Sequence, residues 1–120
     1  MSPPRPTDLV LHQASHLLEV AFDDGQRFRL PCEYLRVESP SAEVQGHGPG
    51  QKVLVAGKRH VNIKAIEPMG NYGALLRFDD GHDTGLYTFA YLHELGAQQD
   101  AKTQAYRARV EAATKRKAGH

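Results

Sequence analysis

Two stretches of this sequence repeat one local pattern, and that pattern constrains the fold more than any other feature. Residues 22–25 and 78–81 both read Phe-Asp-Asp-Gly, and a Tyr-Leu pair follows each of them, beginning at Tyr34 and Tyr91. Asp-Gly between strand-like runs supplies the positive φ angles that a two-residue hairpin turn requires. The sequence therefore predicts two copies of one hairpin-plus-turn unit.

The second copy carries clear signals for a short helix. Thr88 stands where a helix-capping side chain is expected. Phe89, Leu92 and Leu95 would then share one side of the helix. Gly96 is predicted to end it, because glycine accepts the left-handed conformation common at helix C-termini.

The first copy is followed by a proline. Pro31 suits the first position of a helix, because its missing N–H would be unpaired there. One helical turn with Tyr34 and Leu35 facing inward is predicted. The same device predicts another brief turn at residues 39–44, where Ser39 precedes a proline.

Alternating apolar residues predict antiparallel strands in the remainder of the chain. The fold class is therefore α+β, a mainly antiparallel sheet of meander and hairpins with two short helical segments and a basic C-terminal tail. The predicted strands cover residues 8–12, 17–22, 28–30, 61–67, 74–78 and a short run after residue 81, with a further candidate at 52–56.

The 120 residues suffice for one compact domain and a tail. Residues 1–7 are proline-rich and are expected to form a flexible N-terminus. Residues 8–97 are predicted to form the domain, and residues 98–120 a basic tail that is partly helical or disordered. Residues 101–120 carry six Lys and Arg against one Glu. Only Tyr106 and Val110 make an apolar i,i+4 pair there, so a helix is expected to fray and at least the last ten residues to be disordered.

The composition excludes several classes of protein. No apolar run approaches the roughly 20 residues of a membrane span, and the N-terminus lacks a secretory signal, so a cytoplasmic protein without a membrane partner is expected. Cys32 is the only cysteine, so one chain forms neither an internal disulfide nor an all-cysteine metal site.

The sequence does not assemble a catalytic or nucleotide-binding set. Residues 46–52 resemble a phosphate-binding loop, but Pro49 removes a backbone donor and no helix pattern follows. We find no triad, carboxylate pair or cofactor fingerprint, so an independent enzyme is not expected. The tail has one aromatic residue and residues 1–100 are net acidic, so nucleic acid is not the expected partner either.

Residues 30–51 and 78–96 together resemble the gamma-butyrobetaine hydroxylase-like N-terminal domain family, a bacterial domain of unknown function, in its stand-alone form. The resemblance covers about residues 6–97. In the hydroxylase this domain precedes an iron- and 2-oxoglutarate-dependent catalytic domain, which this sequence lacks. The resemblance therefore implies that the chain has no hydroxylase activity.

The hydroxylase's N-terminal domain is similar in holding a zinc ion with three cysteines and a histidine. On this sequence the cysteine positions fall on Ser39, Ser41 and Val44, and the histidine falls on His82. Because a serine hydroxyl is a poor zinc ligand and valine is none, the resemblance implies a vacant or very weak site. Ser39 and Ser41 are expected to hydrogen-bond locally, with His82 near them.

Similar domains are also joined to P-loop ATPases of iron–sulfur cluster assembly. The resemblance thus implies a non-catalytic accessory or binding module that acts through a protein partner and needs no cofactor. The alternative is a metal-handling domain, for zinc or an iron–sulfur cluster, that uses His82 and Cys32. Cys32 would serve between chains only if it is exposed, and it is otherwise expected to be a small buried apolar group.

Overall fold

The chain folds into two successive units of three strands and a helix, followed by a long C-terminal helix. The computed structural model describes residues 4–41 and 57–118, with side chains described through Thr114. Each unit has an antiparallel sheet in sequential strand order. This confirms the predicted α+β class, with two three-stranded sheets. The first unit consists of β1 (Pro6–His12), β2 (Leu17–Phe22), β3 (Arg27–Pro31) and α1 (Cys32–Val37), the second of β4 (Ile63–Met69), β5 (Gly73–Phe78), β6 (Gly85–Thr88) and α2 (Phe89–Ala97), and α3 (Gln99–Ala118) follows.

The two Phe-Asp-Asp-Gly turns adopt the same geometry, and the predicted two-residue turn is wrong. The Phe22 N–H donates to the Gln26 carbonyl at 2.8 Å, and the Phe78 N–H donates to the His82 carbonyl at 2.9 Å. Only the glycine of each turn has a positive φ, +89° at Gly25 and +91° at Gly81. Each loop therefore contains three residues, Asp-Asp-Gly, with the glycine in the left-handed conformation.

The repetition extends to the first strand of each unit, which the sequence does not show. The Asp23 N–H donates to the Arg5 carbonyl at 2.8 Å, and the Arg5 N–H returns to Asp23 Oδ1 at 3.0 Å. Asp79 and Asn62 exchange the same two bonds, at 2.9 and 3.0 Å. The first aspartate of each turn thus holds in place the residue that directly precedes the outer strand of its unit, β1 or β4.

The two units contact each other reciprocally. The Tyr34 hydroxyl donates to the Leu95 carbonyl at 2.6 Å, and the Tyr91 hydroxyl donates to the Glu38 carbonyl at 2.5 Å. Tyr91 stands 57 positions after Tyr34, and Leu95 stands 57 positions after Glu38. Contacts in which each partner supplies the same pair of positions define a two-fold interface. The chain therefore behaves as a two-fold pair of units joined in one polypeptide.

The charged side chains follow the same reciprocity. Arg36 of α1 donates from Nε to Asp80 Oδ2 in the second turn at 2.9 Å. His93 of α2 lies with Nε2 2.8 Å from Asp24 Oδ2 in the first turn. Each helix therefore reaches across to the turn of the other unit, so that neither helix packs only within its own unit.

The core lies between the units and stabilises both short helices. α1 has six residues, fewer than an isolated helix needs in water. Its Leu35 carbonyl accepts a hydrogen bond from the fully buried Tyr87 of β6. Tyr34 and Leu35 face inward as predicted. The largest fully buried side chains are Tyr87, Phe78, Leu18, Leu30, Leu35, Ile63, Leu76, Leu92, Leu95, Val20 and Val37.

The prediction that Gly96 ends α2 is wrong. The cap of α2 is Gln98, and Gly96 lies inside the helix. A Cβ built on Gly96 would overlap the ring of Phe28, with ring atoms closer than the 3.0 Å that real Cβ contacts respect. The glycine is therefore required by a contact with β3, and Thr88 caps the helix as predicted by accepting from the Tyr91 N–H.

We expect Gly96→Ala to lower the free energy of unfolding by about 1–3 kcal/mol, because the added methyl overpacks against Phe28. This expected loss of stability is opposite in sign to the gain of about 1 kcal/mol that helix propensity alone predicts when alanine replaces glycine. Urea denaturation followed by circular dichroism measures the change. In a Phe28→Ala background the same substitution should become neutral or stabilising, and a loss of equal size in both backgrounds would contradict the assignment.

The C-terminal segment, for which the sequence predicted a tail that is partly helical or disordered, is a helix of 20 residues that ends at Ala118. α3 begins directly after α2, where the Lys102 N–H donates to the Gln98 carbonyl at 2.9 Å. Lys102 Nζ lies 3.8 Å from Glu38 Oε1 beyond the end of α1. No helix in the described ranges is long and apolar enough to cross a membrane. The predictions for residues 42–44, 46–52 and 52–56 lie outside the described residues.

Candidate functional site

The first site to consider is a buried pair formed by Ser39 and His82. His82 follows the second turn, where its N–H donates to Asp80 Oδ1 at 3.1 Å. Ser39 follows the end of α1 and is fully buried. His82 Nε2 lies 2.8 Å from Ser39 Oγ, and the histidine is 4% exposed. The turn of one unit and the helix end of the other thus bring together residues that are 43 positions apart.

Neighbouring hydroxyl groups complete a small polar cluster around this pair. The Ser41 N–H donates to Ser39 Oγ at 3.3 Å, and Ser41 Oγ lies 3.0 Å from Thr84 Oγ1. Gly85 leaves room for the cluster, because a Cβ there would lie 3.1 Å from Ser39 Oγ. The local hydrogen bonding expected of the two serines near His82 is therefore present.

The two-fold arrangement shows that the fold itself does not require this cluster. Gln26 occupies the position after the first turn that His82 occupies after the second. Gly96 stands 57 positions after Ser39, and there the ring of Phe28 closes the gap. The hydroxyl–imidazole pair is thus a property of one unit only.

The described donors do not fit a zinc ion. A zinc site needs four convergent ligands, with thiolate and imidazole preferred. Ser39 and Ser41 offer hydroxyl groups beside the single imidazole of His82, while Val44 lies outside the described residues. Residues 4–41 and 57–118 contain no group of three or more His, Cys, Asp and Glu side chains that could hold a metal.

Cys32 lies apart from this cluster in its contacts. It is fully buried, and its Sγ lies 3.6 Å from Asn62 Oδ1. Burial raises the pKa of the thiol, which disfavours the thiolate that binds metals. Cys32 packs as the small apolar group that the sequence indicated, and it lacks the exposure that a cluster shared between chains requires.

Two other histidines, His12 and His16, have the four-residue spacing of a helical metal pair, but no helix carries them. His12 ends β1, with Nε2 3.1 Å from Glu19 Oε1. His16 lies in the following turn, with Nδ1 3.0 Å from the Val61 carbonyl. The His12 side chain links β1 to β2, and the His16 side chain ties the first unit to the second.

Asp80 anchors the turn that positions His82. Its Oδ2 lies 2.9 Å from Arg36 Nε and 2.7 Å from Lys58 Nζ. Partial burial alone would raise the pKa of the Asp80 carboxyl, but hydrogen bonds from Lys58, the His82 N–H and Arg36 outweigh it and lower the pKa to about 2. The carboxylate is therefore charged throughout the neutral and mildly acidic range.

We expect Asp80→Asn to lower the free energy of unfolding by about 1–3 kcal/mol at pH 6, because Arg36 and Lys58 lose their shared carboxylate. The folded pKa lies below the ordinary 3.8, so this stability is present above pH 3.8 and is lost as the pH falls through 2. Urea denaturation at several pH values between 6 and 2 should show that the free energy of unfolding falls less with decreasing pH in the variant than in the unmodified chain. Asp83→Asn, at an exposed ion pair, is the control, and equal profiles for both variants would contradict the role of Asp80.

A second candidate site, which the sequence analysis missed, is a groove between α1 and α3. It encloses about 530 Å³. Tyr34 and Val37 line it from α1, and Tyr106 and Val110 line it from α3. The only sequence signal for this groove was the apolar pair Tyr106 and Val110. That signal was insufficient because the other wall of the groove comes from a helix about 70 positions earlier in the chain. We call this feature the α1–α3 groove, whose lining also includes Pro31, Glu33, Gly57, Arg59, Thr103, Arg107 and Glu111.

Several solved structures resemble the chain. Two solution NMR structures are 52% and 43% identical, with TM-scores of 0.79 and 0.81. The matches cover 95% and 94% of this chain and 88% and 89% of the other chains. Since about 5% of 120 residues is fewer than the 20 residues of α3, both matches extend into α3. None of the curated proteins matches the chain.

A crystal structure of a protein of unknown function of the DUF971 family from Acidithiobacillus ferrooxidans is 38% identical, with a TM-score of 0.66. This match covers 78% of the present chain and 93% of that one. The family model described as gamma-butyrobetaine hydroxylase-like, N-terminal, matches residues 9–93. Because that match spans more than half of the sequence, the chain belongs to the gamma-butyrobetaine hydroxylase-like N-terminal domain family.

Proposed function

We propose that this chain is a cytoplasmic, non-catalytic accessory module that acts by binding a partner protein. The observation that carries the proposal is the α1–α3 groove, an apolar concavity of about 530 Å³ on the surface. Concave, mostly apolar sites with a few polar groups are where proteins commonly bind their ligands. α3, which forms one wall, lies beyond residues 9–93 of the family match, so the groove is an addition to the family's core.

The buried Ser39–His82 pair supports binding over catalysis. Its geometry is that of a nucleophile beside a base. However, Ser39 is fully buried and His82 is 4% exposed, so a substrate has no access to the hydroxyl. The hydrogen bond instead ties the end of α1 to the second turn. The pair therefore has a structural role in this proposal.

Quantitative affinity capture from the native cell tests the proposal. The full chain, Val110→Asp in the groove and Val10→Asp on β1 would be compared, since Val10 is 37% exposed and lies away from the groove. We expect at least one protein to be retained by the full chain and by Val10→Asp, and to be reduced tenfold or more by Val110→Asp. Circular dichroism would establish that both variants fold, and identical captured sets for all three chains would refute the proposal.

A further inference from the structure

We propose that the α1–α3 groove binds an acidic segment of the partner protein through an aliphatic or aromatic anchor side chain. This inference rests on the proposed function and adds the chemistry of the partner. The groove volume of about 530 Å³ falls within the range of about 300–1,000 Å³ that is typical of ligand sites. Val37 and Val110 face it from opposite helices and offer neither hydrogen bonds nor a stacking surface. They therefore supply apolar surface on both sides of the groove, which suits an apolar protein side chain.

The aromatic side chains of the groove also favour an apolar anchor. Burial, together with the nearby Glu33 carboxylate, raises the pKa of Tyr106, so its ring lies in the groove as a neutral phenol. The Tyr34 hydroxyl is already bonded to the Leu95 carbonyl, which leaves the ring to line the groove. An incoming apolar side chain would thus meet hydrocarbon and aromatic surface in the groove, and buried apolar anchors of this kind carry much of the binding energy of an interface.

Charge determines which segment fits around that anchor. Arg59 and Arg107 line the groove, and neither makes an ion pair within the described part of the chain. Glu33 and Glu111 also line it, but Glu111 has an interaction of its own. The lining therefore carries two arginines and two glutamates, and the two arginine side chains are the groups that offer donors to the carboxylates of an acidic segment.

The charge distribution of the whole chain reinforces this selection. The α3 sequence carries six Lys and Arg against two Asp and Glu. Residues 1–98, which precede α3, carry nine Lys and Arg against twelve Asp and Glu. An acidic segment is therefore repelled by most of the domain and steered toward α3. A basic segment would be directed elsewhere.

The test is an NMR titration of the full chain with two synthetic peptides. One peptide places leucine on one helical face and glutamate on the other, and the second replaces every glutamate by lysine. We expect the glutamate peptide to shift the methyl resonances of Val37 and Val110 and to bind at least tenfold more tightly than the lysine peptide at low salt. The difference should shrink at high salt, because ions screen exposed charges.

Charge reversal identifies the arginines responsible. Arg59→Glu/Arg107→Glu should abolish or reverse the preference between the peptides. Arg29→Glu/Lys64→Glu makes the same change in net charge at exposed positions outside the groove and should leave the preference in place. Equal effects of both double variants would overturn the proposal, because the peptide would then respond to net charge alone.

The other outcomes are equally decisive. Resonance shifts outside the groove, equal binding of the two peptides, or groove shifts caused equally by benzoate or by a single-stranded oligonucleotide would each overturn the proposed chemistry. If the peptides fail while capture still finds a partner sensitive to Val110→Asp, the acidic chemistry is wrong and the binding function stands. If no groove-dependent partner is captured although the glutamate peptide binds as expected, the binding function itself fails.

Discussion

Replacing Tyr34 and Tyr91 together by phenylalanine is expected to lower the free energy of unfolding by about 2–6 kcal/mol. The two hydroxyls make the reciprocal bonds between the units, to the Leu95 and Glu38 carbonyls. Burial raises the pKa of Tyr91 to about 12, so its hydroxyl stays protonated and remains a donor. Each substitution leaves a buried carbonyl without its hydroxyl donor, which costs about 1–3 kcal/mol.

The single and double variants form a double-mutant cycle, measured by urea denaturation. A coupling between the two sites is expected, because both bonds hold the same two units together. Tyr72→Phe is the matched control, since Tyr72 is 54% exposed and surface changes usually stay within about 0.5 kcal/mol. If the double variant were as stable as the control, the tyrosine bonds would not hold the units together.

The sequence predicted the repeated units because their signals are local. Asp-Gly between strand-like runs favours a turn, and Gly25 and Gly81 have the positive φ that such a turn needs. The length of the loop was misjudged, because Asp-Gly also fits the shorter two-residue hairpin. Thr88 was recognised as a cap because its bond to the Tyr91 N–H spans only three residues.

Features that depend on distant contacts could not be read from the sequence. In the sequence, Gly96 looks like a residue that ends a helix. The structure shows that a glycine is needed there inside α2 because the ring of Phe28 from β3 leaves no room for a Cβ. The sequence also did not show that the apolar pair of α3, Tyr106 and Val110, faces α1 across the groove. Reciprocal packing of the units is likewise a long-range property that local patterns do not contain.

The candidate site was predicted only in part, because some of its contacts join residues far apart in the sequence. The family resemblance implied that Ser39 and His82 lie close together, and Ser39 Oγ lies 2.8 Å from His82 Nε2. The alternative function, metal handling, would use His82 together with Cys32. The two units do contact each other, but Cys32 Sγ lies beside Asn62 Oδ1. His82 Nε2 lies beside Ser39 Oγ instead.

The second large expected effect is the creation of a metal site from the Ser39–His82 cluster. Ser39→Cys/Ser41→Cys/Val44→Cys should retain one zinc ion per molecule after dialysis, whereas the unmodified chain should retain none. Thiolates supply the soft donors that serine lacks, and structural zinc sites in small peptides bind with about 10–16 kcal/mol at pH 7. Elemental analysis and competition with a chelator measure the expected gain in affinity, at least about a thousandfold if roughly 4 kcal/mol or more is realised.

The control variants decide whether the zinc is held where the resemblance places it. Adding His82→Ala to the triple variant should release the metal, because the single imidazole is lost. Adding Cys32→Ala should not, because Cys32 is fully buried with its Sγ beside Asn62. If the unmodified chain already held one zinc ion that His82→Ala released, metal handling would replace partner binding as the better account. Since the chain keeps a buried imidazole beside a hydroxyl where the zinc ligands would stand, the three thiols are the expected difference between a structural hydrogen bond and a metal centre.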